Sequence, residues 1–289
     1  RADVIRNIAT GDGADALTLE GRIVRGIHTD RDMAQRPALK MDSPEAIEAL
    51  AERLRRGGRG SQYANADSLS IRARHARNIS TGGGDDAIAI QAGTLRGLRA
   101  GSGNDSIAVA ATLVSRIKGG AGDDVISVAA QRALRTPNGH TPGHSQGAKS
   151  GNALTDQMRA ALSGYAQVDG GSGNDQINLQ VGETLAARGG TGDDRFSLNG
   201  GTVALQYGHG DGHDTVALEN GANAVVQLRE IGASAYSATR DGDSLTLTFD
   251  TGGSITFNNL AAGGAIGVAA GPGAPIALLH QPPALDAMA

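Results

Sequence analysis

Two apolar columns run along the chain at fixed distances from a recurring aspartate. Two residues after it stand Leu17, Leu69, Ile88, Ile107, Ile126, Ile177, Phe196 and Val216, and four residues after it stand Leu19, Ile71, Ile90, Val109, Val128, Leu179, Leu198 and Leu218. Small or polar residues fill the positions between, as in Ser68-Leu69-Ser70-Ile71. That alternation has the period of a strand that buries one face. Twelve residues after the aspartate a second apolar set, Ile27, Ile79, Leu98 and Ile117, predicts a second strand in each repeat. The turn between the two strands, Glu20-Gly21-Arg22, Gln91-Ala92-Gly93 or Ala110-Ala111-Thr112, carries no aspartate.

The phase is constant. Asp86, Asp105 and Asp124 are 19 residues apart, Asp175 and Asp194 are again 19 apart, and Asp214 follows 20 further on. Asp67 lies 19 before Asp86 in a degraded copy, Asn65-Ala66-Asp67-Ser68-Leu69. Asp15 lies 52 before Asp67, and the step from Asp124 to Asp175 is 51, so two insertions of 33 and 32 residues interrupt a stack of 19-residue coils. Coil resting on coil turns the apolar columns into aliphatic ladders that form the interior.

Each aspartate ends a glycine-rich turn: Gly82-Gly83-Gly84-Asp85-Asp86, Gly101-Ser102-Gly103-Asn104-Asp105, Gly119-Gly120-Ala121-Gly122-Asp123-Asp124, Gly170-Gly171-Ser172-Gly173-Asn174-Asp175, Gly189-Gly190-Thr191-Gly192-Asp193-Asp194 and the looser Gly210-Asp211-Gly212-His213-Asp214. One such turn is ordinary in a β-rich protein. Five in register, each leading into the same two apolar positions, match the nonapeptide G-G-x-G-x-D-x-U-x, with U a large apolar residue. The chain therefore resembles the RTX, or haemolysin-type, calcium-binding family. The resemblance implies an all-β fold, a right-handed parallel β-roll or β-solenoid, with each calcium ion between two consecutive turns and ligated by backbone carbonyls and one carboxylate from each. The implied ligands are Gly82, Gly84 and Asp86; Gly101, Ser102, Gly103 and Asp105; Gly119, Gly120, Ala121, Gly122 and Asp124; Gly170, Gly171, Ser172, Gly173 and Asp175; Gly189, Gly190, Thr191, Gly192 and Asp194; and Gly210, Gly212 and Asp214.

The chemistry agrees with this set, because calcium takes six to eight oxygen ligands and glycine lets the chain bend tightly enough to present its carbonyls. Carboxylates stacked at a strand spacing of about 4.8 Å also repel, by about 1 kcal/mol per pair in water and about 3.5 at an effective dielectric of 20. The family's familiar coil carries the nonapeptide on both turns; here one turn carries it, so several Ca2+ ions along one edge are expected. Asp15 is expected to lack a calcium-competent neighbour.

Composition narrows the class. Glycine is 44 of 289 residues, aromatics are 2% and tryptophan is absent, which suits a narrow two-layer roll better than a globular core. A net charge of −4 and the scarcity of aromatics give no drive toward nucleic acid. Zero cysteines exclude disulfides and thiolate zinc sites and suit a secreted bacterial protein. No apolar run reaches membrane-spanning length. The start, Arg1-Ala2-Asp3-Val4-Ile5, is not a signal peptide, and a piece of a longer protein is expected.

The expected organisation is a first coil at 1–27, a helical insertion at 28–62, coils at 63–130, a loop-helix insertion at 131–163, coils at 164–218, a β cap at 219–260 and a flexible tail at 261–289. Ser43-Pro44-Glu45 followed by Ile47, Leu50, Ala51 and Leu54 reads as a capped amphipathic helix in the first insertion. Thr155, Met158 and Leu162 mark a short helix ending the second. Gly143-His144-Ser145-Gln146-Gly147 fits the serine-hydrolase elbow, but the preceding Thr136-Pro137-Asn138-Gly139-His140-Thr141-Pro142 is no buried strand, so a chance match and no enzyme are expected. Arg25, Arg77 and Arg96 share one phase, with Arg116 beside it; they read as a solvated face or as a basic stripe that could hold an acidic glycan or another polyanion. Leu285-Asp286-Ala287-Met288-Ala289 is similar to the terminal signature of type I secretion substrates.

The expectation is a secreted, extracellular module that folds on binding calcium outside the cell and supports type I secretion, passing the type I machinery in transit. The alternatives are a rigid adhesin or effector scaffold whose insertions bind a host surface, or the non-catalytic C-terminal part of a larger toxin or hydrolase.

Overall fold

The computed structural model describes residues 2–11, 13–29, 66–133, 153–162, 165–232, 235–262, 264–271 and 274–280. Strands make up 69% of them and one short helix accompanies these, so the chain is all-β. All eighteen strands belong to one mixed sheet.

The long strands β2 (Ala16–His28), β3 (Ser68–Gly83), β4 (Ala87–Ser102) and β5 (Ser106–Ala121) lie parallel, each bonded to the next. β1 (Ala2–Ala9) pairs with the second half of β2, adding half a coil ahead of the first glycine turn. β6 (Val125–Ala133) continues from the first half of β5, and β7 (Val168–Ser172) from its second half, with Ile117 opposite Val168. The second insertion therefore leaves and rejoins within one coil without disturbing the register. The first insertion behaves likewise, since Ala16 pairs with Ser68 and His28 with Ser80. β8 (Gln176–Val181), β9 (Thr184–Thr191), β10 (Arg195–Asn199), β11 (Thr202–Gly208), β12 (His213–Glu219) and β13 (Asn223–Arg229) carry the stack on.

The expected ladder is continuous. Leu17, Leu69, Ile88, Ile107, Ile126, Ile177, Phe196 and Val216 are successive register partners, and all but Leu17 are buried. The second column, from Leu19 to Leu218, is buried throughout. Each side chain rests on its equivalent one coil away, so similar apolar side chains, Phe196 the one aromatic among them, fill a narrow interior.

Larger side chains appear where the stack must close. β14 (Tyr236–Asp241), β15 (Ser244–Phe249) and β16 (Ser254–Asn258) form an antiparallel meander that follows β13. Phe249 stacks on Tyr207 with ring centroids 4.4 Å apart. β16 then returns parallel to β12, placing Phe257 opposite Val216, and β17 (Ile266–Ala269) lies parallel to β13. The cap is thus partly a further coil. Composition predicts a flexible tail from 261, yet Ala265, Ile266, Val268 and Ala269 are buried, and β18 (Ala277–His280) pairs antiparallel with β17. Burial against β13 orders a segment whose composition alone reads as loose. Residues 281–289 lie outside the described residues, as do the first-insertion helix, His140, His144 and Ser145.

The helix expected from Thr155 is present as α1 (Ala153–Ala161). Met158, Ala161 and Leu162 pack on Ala186, Ala204, Val225, Ala265 and Ala269, where small side chains let a helix approach the outer face of the sheet.

Candidate functional site

The repeated aspartates form a second, polar ladder. Each donates its own N–H to Oδ1 of the aspartate one coil on: Asp67 to Asp86, Asp86 to Asp105, Asp105 to Asp124, Asp124 to Asp175 and Asp175 to Asp194, all at 2.8 Å, and Asp194 to Asp214 at 3.0 Å. Asp15 joins the column through its N–H to Asp67 Oδ1 at 2.7 Å. These carboxyls are interior groups; Asp105, Asp124, Asp175 and Asp194 are each 1% exposed. For those four, Oδ2 is buried and has no hydrogen-bond partner.

A neighbouring column, not foreseen from the sequence, staples the turns in the opposite sense. Asn104 N–H donates back to Asp85 Oδ1, Asp123 to Asn104, Asn174 to Asp123, Asp193 to Asn174 and His213 to Asp193, at 2.7–2.8 Å. It is exposed, and Asp and Asn alternate along it, so like charges are separated by two coils. The inner column has no such dilution. The signal was in the sequence, as the residue before each repeat aspartate, but without the coil stacking it reads only as turn chemistry.

Glycine bounds the inner column. A Cβ on Gly119 would strike Asp124 Oδ2 and the Gly170 carbonyl; one on Gly170 would strike Asp175 Oδ2 and the Gly189 carbonyl; one on Gly189 would strike Asp194 Oδ2. At the equivalent position the two preceding turns have Thr81 and Ala100, both buried. The carbonyls of Gly101, Gly103, Gly120, Gly122, Gly171 and Gly173 each point at a glycine of the next coil. Gly120 (φ 139°) and Gly122 (φ 121°) adopt backbone that a Cβ disfavours.

Burial dominates the electrostatics. It pushes the carboxyls of Asp105 and Asp175 up to about 7, those of Asp124 and Asp194 to about 6 and that of Asp214 to about 8; neighbouring carboxylates add to the rise and the ladder N–H groups oppose it. A buried charge whose second oxygen lacks a partner costs several kcal/mol. Near neutral pH the column is therefore partly protonated. Carboxylate and carbonyl oxygens are hard donors that suit Ca2+ over softer metals. Among the described residues no three His, Asp or Glu side chains converge on one point, so a metal on this edge would rely on the glycine carbonyls as well as on the carboxylates.

The last turn closes differently. Asp211, 1% exposed, accepts from Arg188 Nη2 at 2.7 Å and from Gly208 N–H at 2.8 Å, and Tyr207 donates its hydroxyl proton to the Gly212 carbonyl at 2.6 Å. The Arg188 guanidinium there supplies a positive charge against the buried Asp211 carboxylate.

Comparison with known proteins returned no match: no family model, no curated protein and no solved structure aligns with the chain.

Proposed function

We propose that the chain is a calcium-binding right-handed β-roll of the RTX type, secreted and folding outside the cell as it binds Ca2+. The observation that carries this reading is the column of buried, unpartnered Oδ2 atoms at Asp105, Asp124, Asp175 and Asp194, with the Gly170 and Gly189 carbonyls close to those of Asp124 and Asp175. The parallel 19-residue register supports the roll. Asp124, Asp175 and Asp194 would hold the ions best, with neighbouring glycine carbonyls such as those of Gly170 and Gly189, because in those turns glycine stands against the carboxylate. Thr81 and Ala100 stand at the equivalent position in the earlier turns, so Asp86 and Asp105 are weaker ligands in this proposal. When bound, Ca2+ supplies the positive charge that lets adjacent carboxylates ionise together.

The biological use follows from mass action. A ligand bound only by the folded form stabilises it. Extracellular calcium modules bind with dissociation constants on the order of 0.1 to 1 mM. A chain tuned to that range stays loose in a calcium-poor cytosol, passes a type I export channel unfolded and orders outside. Far-ultraviolet circular dichroism in excess chelator and then in millimolar calcium tests this. Loss and recovery of β structure is expected; a spectrum indifferent to both would reject the proposal.

A further inference from the structure

The face opposite in chemical character to the aspartate edge lies on β1–β5. Arg6 is the register partner of Arg25, Arg25 of Arg77, and Arg77 of Arg96. The residues beside them, Ile5, Val24, Ala76 and Leu95, point into the core, so the four guanidinium stems leave the outer face in a line. Arg6 and Arg77 are exposed, and Arg25 and Arg96 half-buried. The next coil has the buried Ser115 in this column, but Arg116 follows it, exposed and with φ 56°, at a position where the other coils place Asn7, Gly26, Asn78 and Gly97. Asparagine and glycine are the residues that tolerate this conformation; an arginine there is uncommon. The basic line thus extends over five coils.

Among the described residues none of these five arginines has an ion pair. Nearby acids pair with other cations, Asp3 with Arg22 at 3.7 Å and Asp169 with Lys118 at 2.9 Å. Arg74 and Arg99 add further cations on β3 and β4, in a chain whose net charge is −4. Sheet geometry sets the pitch of the line at about 4.8 Å and its length at roughly 20 Å. Cations stacked at that pitch repel, and one small anion relieves only a neighbouring pair. A linear polymer with one charge per monomer relieves the whole line. Guanidinium groups pair with carboxylates through two parallel hydrogen bonds, which lysine cannot do. β1–β5 contain no Phe, Tyr or Trp, so the surface offers no platform for stacking bases.

We propose that the outer face of β1–β5 binds a linear acidic polysaccharide, with Arg6, Arg25, Arg77, Arg96 and Arg116 pairing carboxylates repeated once per sugar. This stands apart from the calcium reading, since it uses the other side of the coil.

The test is binding of an oligo-uronate of about ten sugars, long enough to span the roughly 20 Å line, by titration calorimetry at low and high salt. The wild-type chain is expected to bind with an affinity that falls as salt rises. The double variant Arg77→Gln/Arg96→Gln should bind roughly tenfold more weakly, while a charge-matched control, Arg195→Gln/Arg240→Gln, should bind as wild type. Circular dichroism in the same buffer verifies that each variant keeps its β structure. Absent wild-type binding, or equal affinity in the Arg77/Arg96 variant, overturns the proposal. Tighter binding of a single-stranded oligonucleotide of equal charge, or of phosphatidylserine vesicles, would overturn the glycan assignment in favour of nucleic acid or membrane.

Discussion

The effect of Asp175→Asn on stability should depend on calcium. Asp175 sits mid-column; its Oδ1 accepts from Asp124 N–H and its N–H donates to Asp194 Oδ1, both at 2.8 Å. Asparagine keeps the shape and the Oδ1 acceptor but removes the charge. Burial raises the Asp175 carboxyl from 3.8 to about 7, and three such units correspond to about 4 kcal/mol against the ionised folded form near pH 8. The new Nδ2 takes the place of Oδ2, on the side of the Gly189 carbonyl, and imperfect pairing there would return about 1–3 kcal/mol of that gain. In chelator the variant is therefore expected to be more stable than wild type by roughly 1–3 kcal/mol, a rise of several degrees in Tm. In calcium that advantage should shrink or reverse. An ion present at tenfold its Kd contributes about 1.4 kcal/mol per site, and Asp175 borders the turns of both Asp124 and Asp194, so the calcium-dependent gain should shrink by up to about 3 kcal/mol. Thermal unfolding of both proteins, each with chelator and with calcium, measures the four values. A variant that is less stable in chelator yet keeps the full calcium increment would refute the reasoning.

The pH dependence of the metal-free chain has a determined sign. Asp105, Asp124, Asp175, Asp194 and Asp214 bind protons more tightly folded, at about 6 to 8, than at the ordinary 3.8. Stability in chelator is thus greatest below the unfolded value and declines as pH rises through about 6 to 8; urea midpoints taken across that range should fall, and calcium should flatten the trend. In the apolar ladder, Ile126→Ala, at a fully buried position between Ile107 and Ile177, should cost about 2–5 kcal/mol. The adjacent Val125→Ala, 41% exposed, should stay within about 0.5 kcal/mol. Equal losses at both positions in chemical denaturation would contradict the assigned strand phase.

Local period determined much of this protein. A spacing of 19 residues, with apolar positions two and four after each aspartate, specified parallel strands, the ladder from Leu17 to Val216 and the places of the two insertions, because these depend only on a repeat stacking upon itself; the helix at Met158 was legible separately, from its own apolar spacing. What the partner of each repeat would offer was decided by the stacked structure. The bond from each aspartate N–H to the next Oδ1, the reverse staple through Asn104, Asp123 and Asn174, and the alignment of Arg6 with Arg25 all join residues a coil or more apart, and no local pattern marks them. The same holds for the space beside Asp124 and Asp175: glycine at 119 and 170 reads as one more turn residue until Thr81 and Ala100 are seen in the equivalent place. Composition misjudged Ala265–Ala269 for the same reason. A chain poor in large side chains looks unable to order itself, but β13 and α1 supply the surface against which its small apolar residues are buried.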